Sequence, residues 1–167
     1  MRAPDPVVQQ WAQGFSASSA VSGEPGDRLP AHHPQCVGCG PDNPHGHHMQ
    51  VWRDGDRVRT RQVFDPRHVG APGIAHGGAV ATVLDDLFGF VLYVVGDLAV
   101  TRHLEVGYRA PVLLGVPYLL EAGLDRREGR KLFVSGRGLN EDGALVVEAK
   151  AVFIVVELGH FSRGAAS

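Results

Sequence analysis

His76, Gly77 and Gly78 lie at the start of the longest apolar segment of the chain. Residues of these types at this position could take part in catalysis. Two glycines at a helix start leave backbone N–H groups unpaired and accessible. Together with the positive end of the helix dipole, they suit an oxygen that gains negative charge. The motif predicts an oxyanion-binding helix start; the alternative is that the glycines only allow a tight entry into the helix.

Asp85 and Asp86 form a second candidate, in the middle of the same segment. With Val80 as zero, the apolar stripe centres at about 20°, Asp85 lies at about 140° and Asp86 at about 240°. A carboxylate at the edge of a buried stripe can act as a general base or a nucleophile. Periodicity does not choose between the two aspartates, and one of them could simply face solvent.

Cys36 and Cys39 form a Cys-x-x-Cys pair in a loop rich in histidine. The nearby histidines are His32, His33, His45, His47 and His48. These residue types are zinc ligands, but no second Cys pair or spaced His pair follows at zinc-finger spacing. Gly40-Pro41 argues against a redox pair that opens a helix. Metal binding therefore stays open, with ordinary loop residues as the alternative.

Basic side chains in the second half of the chain are candidates for a phosphate-bearing ligand. They are Arg102, Arg109, Arg126, Arg127, Arg130 and Lys131. Surface arginines are usually just solvated, so this indication is weak alone.

One helix must position both the His76-Gly77-Gly78 motif and the pair Asp85 and Asp86. Apolar residues at three- and four-residue steps predict it over 77–95, ending at Gly96. They are Val80, Val83, Leu84, Leu87, Phe88, Val91 and Leu92. The segment is about long enough to cross a bilayer, but two mid-span carboxylates favour a buried helix of a folded domain.

Strand-like segments surround the helix, two before it and four after it. They are 48–53, 57–64, 99–110, 116–126, 131–140 and 144–157. The connections are short, including the one at Pro111, so sequence neighbours are expected to form antiparallel hairpins. Residues 151–156 are apolar on both faces, which predicts a central strand. Segments 32–48 and 65–75 are expected to be loops. The fold class is α+β, with one helix wrapped by an antiparallel sheet of five to six strands.

Composition excludes several classes. The chain has 167 residues, 44 % hydrophobic and 20 % charged, with two cysteines and a net charge of −2. No global basic field supports nucleic-acid binding or membrane anchoring, and two cysteines are too few for a disulfide scaffold. Residues 1–30 lack a signal-peptide pattern. We expect a reduced, cytoplasmic protein.

Four stretches resemble one family. The run from His76 to Asp85 resembles the helix motif of hotdog-fold thioesterases, specifically the PaaI type within the 4-hydroxybenzoyl-CoA thioesterase superfamily. Segments 36–46, 73–78 and 101–111 resemble its entry loop, helix approach and following strand. The resemblance covers about 33–157 and implies a hotdog fold. We expect a domain at 33–160, an N-terminal tail or short docked helix at 1–32, and a tail at 161–167.

The resemblance also implies an activity, hydrolysis of an acyl-CoA thioester to free acid and CoA. Gly77 N–H would polarise the thioester carbonyl, and His76 would orient the loop or the carbonyl. The resemblance selects Asp85 over Asp86 as the base or nucleophile. It implies that Thr101 positions the water or the carboxylate. Expected substrate-binding residues are Gly78, Arg102, Arg109, Arg130 and Lys131.

The implied partner is a second copy of the chain. In this family the helices of two subunits meet, so Gly77 of one chain would face Asp85 of the other in a homodimer or homotetramer. No cofactor or catalytic metal is expected, and neither nucleic acid nor membrane as partner. The alternative is a non-catalytic protein that binds acyl thioesters as an accessory or sensor. A hotdog hydratase or dehydratase would need another His/acid arrangement, which the sequence lacks.

Two positions depart from the expected pattern. Many relatives carry Asn six residues before the His of the His-Gly-Gly motif, where this chain has Gly70. Strict alternation also places Thr101 on the face opposite to Leu104, so a bulge or a later strand start is needed near Thr101.

Overall fold

A computed structural model of the chain describes residues 26–161, together with positions 6, 8–10, 12 and 13. These six N-terminal positions are helical. The predicted docked helix, Asp5 to Phe15, would place Val7, Val8, Trp11 and Phe15 on one side. Val8 is among the described residues, whereas Val7, Trp11, Phe15 and residues 162–167 are not.

A six-stranded antiparallel sheet wraps one long helix, as predicted. The elements are β1 (Trp52–Asp54), β2 (Arg57–Val63), a 3-10 turn (Pro66–His68), β3 (Val69–Ala71), β4 (Ile74–Ala75), α1 (Gly77–Val95), β5 (Ala99–Tyr108), β6 (Pro117–Glu128), β7 (Lys131–Leu139) and β8 (Leu145–Val155). The strand order is β1-β2-β6-β7-β8-β5. β8 lies inside the sheet, between β7 and the edge strand β5.

The connection at Pro111 is not a hairpin, so that expectation was wrong. β5 pairs with β8 at one edge, whereas β6 pairs with β2 and β7. The linking segment is held by the chain before the helix instead: Ala75 N–H donates to Val112 O at 2.8 Å, and Leu114 N–H to Gly73 O at 3.0 Å. These hydrogen bonds hold residues 112–114 against the segment before the helix, so the chain does not turn back to pair with β5.

Segment 65–75 is more ordered than the predicted loop. Asp65 accepts from Arg67 N–H and caps the 3-10 turn, and β3 then pairs with β4 around a bulge. A Cβ at Gly70 would lie 2.7 Å from His76 Cα. Because real Cβ atoms do not approach that closely, a side chain such as Asn does not fit here without a shift of the helix start.

The helix is held by its apolar stripe. All seven predicted stripe residues are buried, and Phe90 and Tyr93 join them. The helix has the length and hydropathy of a membrane span, but it packs against β2, β5, β6, β7 and β8. Gly96 ends it with φ 81°, a left-handed conformation that glycine adopts freely.

Residues 26–32, expected in the tail, pack on the domain. Arg28 bridges Trp52, and Leu29 is buried with its N–H donating to Val51 O. β1 begins at Trp52, later than the predicted residue 48.

The helix–sheet core sets stability. Leu87→Ala removes a fully buried side chain, so we expect a loss of about 2–5 kcal/mol in the free energy of unfolding, measured by urea denaturation. Leu119→Ala, at a 41 % exposed position of β6, is the matched control and should cost less than about 1 kcal/mol. Equal losses would contradict this assignment of the core.

Candidate active site

At the start of the helix, the backbone N–H of Gly77 is an accessible hydrogen-bond donor. His76 is the N-cap, and its Nδ1 accepts from Gly78 N–H at 2.9 Å. The Gly78 N–H expected to bind substrate is therefore engaged, and His76 orients the helix start itself. Gly77 is the first helical residue, where no preceding helical carbonyl can pair with its N–H.

A cleft of about 410 Å³ lies beside this helix start. Its lining includes Ile74, Gly77, Val80, Tyr108 and Arg109. The Tyr108 hydroxyl donates to Gly77 O, and partial burial raises its pKa, so the phenol stays protonated. Sequence reasoning missed Tyr108 as a site residue; the available signal was its place at the end of β5, just before Arg-Ala-Pro.

Asp85 and Thr101 meet about two turns farther along the helix than Gly77. Thr101 Oγ1 donates to Asp85 Oδ1 at 3.0 Å. The required bulge is present: pairing with β8 steps from Thr101–Phe153 to His103–Val152 and leaves Arg102 extra. This bulge changes the alternation of β5, so Thr101 faces the helix although Leu104 and Val106 also pack against the core.

Burial dominates the electrostatics of Asp85. Desolvation raises the pKa of its carboxyl, and the hydrogen bond from Thr101 partly opposes that rise. A carboxylate with a raised pKa is a stronger base than one in water, and so is better suited to take a proton from water.

Asp86 points to a different neighbourhood. Its Oδ1 lies 2.9 Å from His32 Nδ1 and accepts from the Cys36 thiol at 3.2 Å. Thus the two adjacent carboxylates, which periodicity left equivalent, contact different parts of the fold. Asp85 is the one beside Thr101.

Gly77 and Asp85 are far apart within one chain. Eight residues of α-helix at about 1.5 Å each separate them by about 12 Å along the axis. One thioester carbonyl cannot contact the N–H of one and the carboxylate of the other in the same chain.

The expected basic residues fall into two groups. Arg109 lines the Gly77 cleft and pairs with Glu148. Arg130 donates to Val155 O, Lys131 pairs with Ile154, and Arg102 is the bulge residue opposite Phe153 and Val152. These three lie near the Thr101 end of the sheet, so the chain does not bring all four together.

The other two arginines are engaged locally. Arg126 stacks on the Phe133 ring and pairs with Glu128, and Arg127 pairs with Asp97 at 2.6 Å.

Comparisons with known proteins find similar sequences and similar folds. Residues 72–147 match the family model described as "Thioesterase superfamily". Acyl-coenzyme A thioesterase THEM4 of Bos taurus is 34 % identical over 116 residues, which are 67 % of this chain and 47 % of the relative. The chain thus spans about half the length of that relative.

Solved structures share the architecture. A crystallised thioesterase superfamily protein is 28 % identical, with a TM-score of 0.66 over 69 % of this chain and 57 % of the other. A Streptococcus mutans protein bound to acetyl CoA has a TM-score of 0.58, 23 % identity, and coverage of 60 % of this chain and 82 % of its own; the latter likeness concerns the fold alone.

One helix wrapped by a six-stranded antiparallel sheet, together with these likenesses, defines the hotdog fold. Within this fold, residues 72–147 are similar to the thioesterase superfamily.

The partly buried carboxylate of Asp85 should lower stability at neutral pH. Because the folded pKa of Asp85 is raised, the folded state binds more protons than the unfolded chain, and stability falls as pH rises from about 4 through the folded pKa. Asp85→Asn keeps an acceptor for Thr101 and removes this charge. We expect the Tm of the variant to rise relative to that of wild type as the pH increases across that range, and the difference to change no further above it, measured by differential scanning calorimetry. Asp142→Asn, at an exposed turn, should show no such trend; a Tm difference for Asp85→Asn that is the same at every pH would contradict the claim.

Proposed function

We propose that the protein hydrolyses acyl-CoA thioesters to free acid and CoA, at a site that two copies of the chain share. The observation that carries the proposal is the half-buried Asp85 carboxylate that accepts a hydrogen bond from Thr101. It lies on the same helix whose start presents Gly77 N–H to a cleft. The likeness to acyl-coenzyme A thioesterase THEM4 supports the substrate class.

In the proposed reaction the thioester carbonyl oxygen accepts a hydrogen bond from Gly77 N–H. Asp85 of the partner subunit takes a proton from water, and the resulting hydroxide adds to the carbonyl carbon. The oxygen gains negative charge, which Gly77 N–H and the helix dipole stabilise. The C–S bond then breaks and the CoA thiolate recovers the proton from Asp85.

A nucleophilic route for Asp85 uses the same atoms. Its oxygen would displace the thiolate to form an anhydride, which water then hydrolyses. Both routes require the ionised carboxylate and the same Gly77 N–H.

The assembly that we propose is a homodimer or homotetramer in which two central helices run antiparallel, in a cytoplasmic setting. The Gly77 end of one chain then faces the Asp85 end of the other. Such an arrangement would also bring Arg109 of one chain toward Arg102, Arg130 and Lys131 of the other, where they could bind the phosphates of CoA.

Asp85→Asn tests the carboxylate. In a panel of short, long and aromatic acyl-CoAs, we expect wild type to release thiol from at least one member and the variant to lose about 100-fold or more in kcat. Acyl-CoA binding, measured by isothermal titration calorimetry, should be retained. If wild type binds acyl-CoA but releases no thiol from any member, the accessory or sensor role replaces the enzymatic one. Equal activity of both proteins would contradict the role of Asp85.

Gly77→Pro tests the N–H donor with little change in backbone. Proline suits the first helical position, and His76, at φ −61° and ψ 133°, already has the extended conformation preferred before proline. We expect kcat to fall about 10²–10³-fold because the donor is gone. Gly77→Ala is the matched control: it keeps the N–H, and its Cβ would make an ordinary contact 3.4 Å from Tyr108 Oη. Equal rates for the two variants, both with wild-type Tm, would exclude Gly77 N–H as the donor.

A further inference from the structure

Four potential metal ligands from two distant parts of the chain converge beside the helix. His32, Cys36 and Cys39 come from the entry loop and Asp86 from α1, and one ligand atom of each lies within 4.8 Å of the others. Three separations are shorter: His32 Nδ1 to Asp86 Oδ1 is 2.9 Å, Cys36 Sγ to Asp86 Oδ1 3.2 Å, and Cys39 Sγ to His32 Nδ1 3.5 Å. The hydrolysis described above uses none of the four.

These separations are close to those of a zinc centre. Ligand atoms placed tetrahedrally at about 2.0–2.3 Å from one Zn²⁺ lie about 3.3–3.8 Å from each other. Small rotations of the side chains would bring the longest separation into that range. Two sulfurs, one imidazole nitrogen and one carboxylate oxygen are also a donor set that zinc accepts.

Hydrogen bonds within the cluster do not give each polar atom a partner of its own. Asp86 Oδ1 is shared by His32 and Cys36, while Asp86 Oδ2 is buried without a hydrogen-bond partner in the described part of the chain. His32 Nδ1 likewise faces both Asp86 and Cys39. A cation in the middle would be shared by all these atoms.

Three glycines keep the space around the cluster clear. A Cβ at Gly38 would overlap the Asp86 carboxyl, and one at Gly40 would overlap the Cys36 backbone. On the helix, a Cβ at Gly89 would lie 2.8 Å from His32 Cε1. The sequence thus permits the loop to approach the helix only because these positions lack side chains.

Packing also fixes the imidazole. The His32 ring lies 4.1 Å from the Phe90 ring centroid and stacks on Tyr93 at 5.3 Å. Its Nδ1 is thereby held toward the other three donors. Of the five histidines near the Cys pair, His32 is the one that joins the cluster within the described residues.

We propose that His32, Cys36, Cys39 and Asp86 bind one zinc ion that attaches the entry loop to the middle of α1. Four protein ligands fill a tetrahedral shell and leave no position for water, so the ion is structural rather than catalytic. It would hold Asp86 on the loop side of the helix, one residue from Asp85. The proposal stands independently of the thioesterase activity.

The test uses the full chain without a histidine tag, reduced with a phosphine, incubated with zinc sulfate and desalted. We expect inductively coupled plasma mass spectrometry to find about one zinc per chain, and Co²⁺ loading to give the thiolate charge-transfer and visible bands of a tetrahedral site. A chelator should lower the Tm of wild type.

Variants identify the ligands. His32→Ala and Cys36→Ser should each lose most of the bound zinc, whereas His45→Ala, an exposed histidine of the same loop, should retain it. Less than about a tenth of an equivalent in reduced wild type would overturn the proposal even if every variant fails to fold. So would a Cys36–Cys39 disulfide that forms in the presence of zinc, or zinc loss from His45→Ala equal to that from His32→Ala. None of these readouts depends on hydrolysis.

Discussion

Burial of one apolar helix inside a single antiparallel sheet is the constraint on which this structure depends. The helix has one apolar stripe, and the sheet covers that stripe from β2 to β5. Polar residues are therefore confined to the flanks of the stripe. Asp85 and Asp86, about 100° apart around the helix, emerge on opposite flanks. One contacts Thr101 of an edge strand, and the other contacts the loop that precedes the sheet.

The same geometry separates the two halves of the proposed site. A helix start offers an N–H, and a mid-helix flank offers a desolvated carboxylate, but a rigid helix keeps them about 12 Å apart. An antiparallel pair of such helices would form two complete sites in one dimer, because each Gly77 would face the other chain's Asp85. Partial burial of Asp85 raises the pKa of its carboxyl and therefore lowers stability at a pH where the carboxyl is ionised.

Local patterns were enough to predict much of this fold. The three- and four-residue apolar steps gave α1 and its buried residues, and alternation gave the long strands to within a few positions. Family resemblance, rather than periodicity, distinguished Asp85 from Asp86, and the bulge at Arg102 reconciles Thr101 with the strand pattern.

The long-range features were not predictable. A short link at Pro111 looks like a hairpin, because nothing local shows that β5 pairs with β8. The assembly of His32, Cys36 and Cys39 with Asp86 joins residues about 50 positions apart. The contact of Tyr108 with Gly77 joins residues 31 positions apart.

The shared site is the central claim, and mixing two inactive variants tests it most directly. Asp85→Asn and Gly77→Pro proteins are unfolded together, refolded at equal concentrations and assayed for thiol release. If each site combines Gly77 of one chain with Asp85 of the other, half of the sites in a mixed dimer are intact, and the mixture should recover roughly a quarter of the wild-type rate. If both groups act within one chain, no mixed dimer contains an intact site. The mixture would then be no more active than the average of the two variants, which would contradict the account.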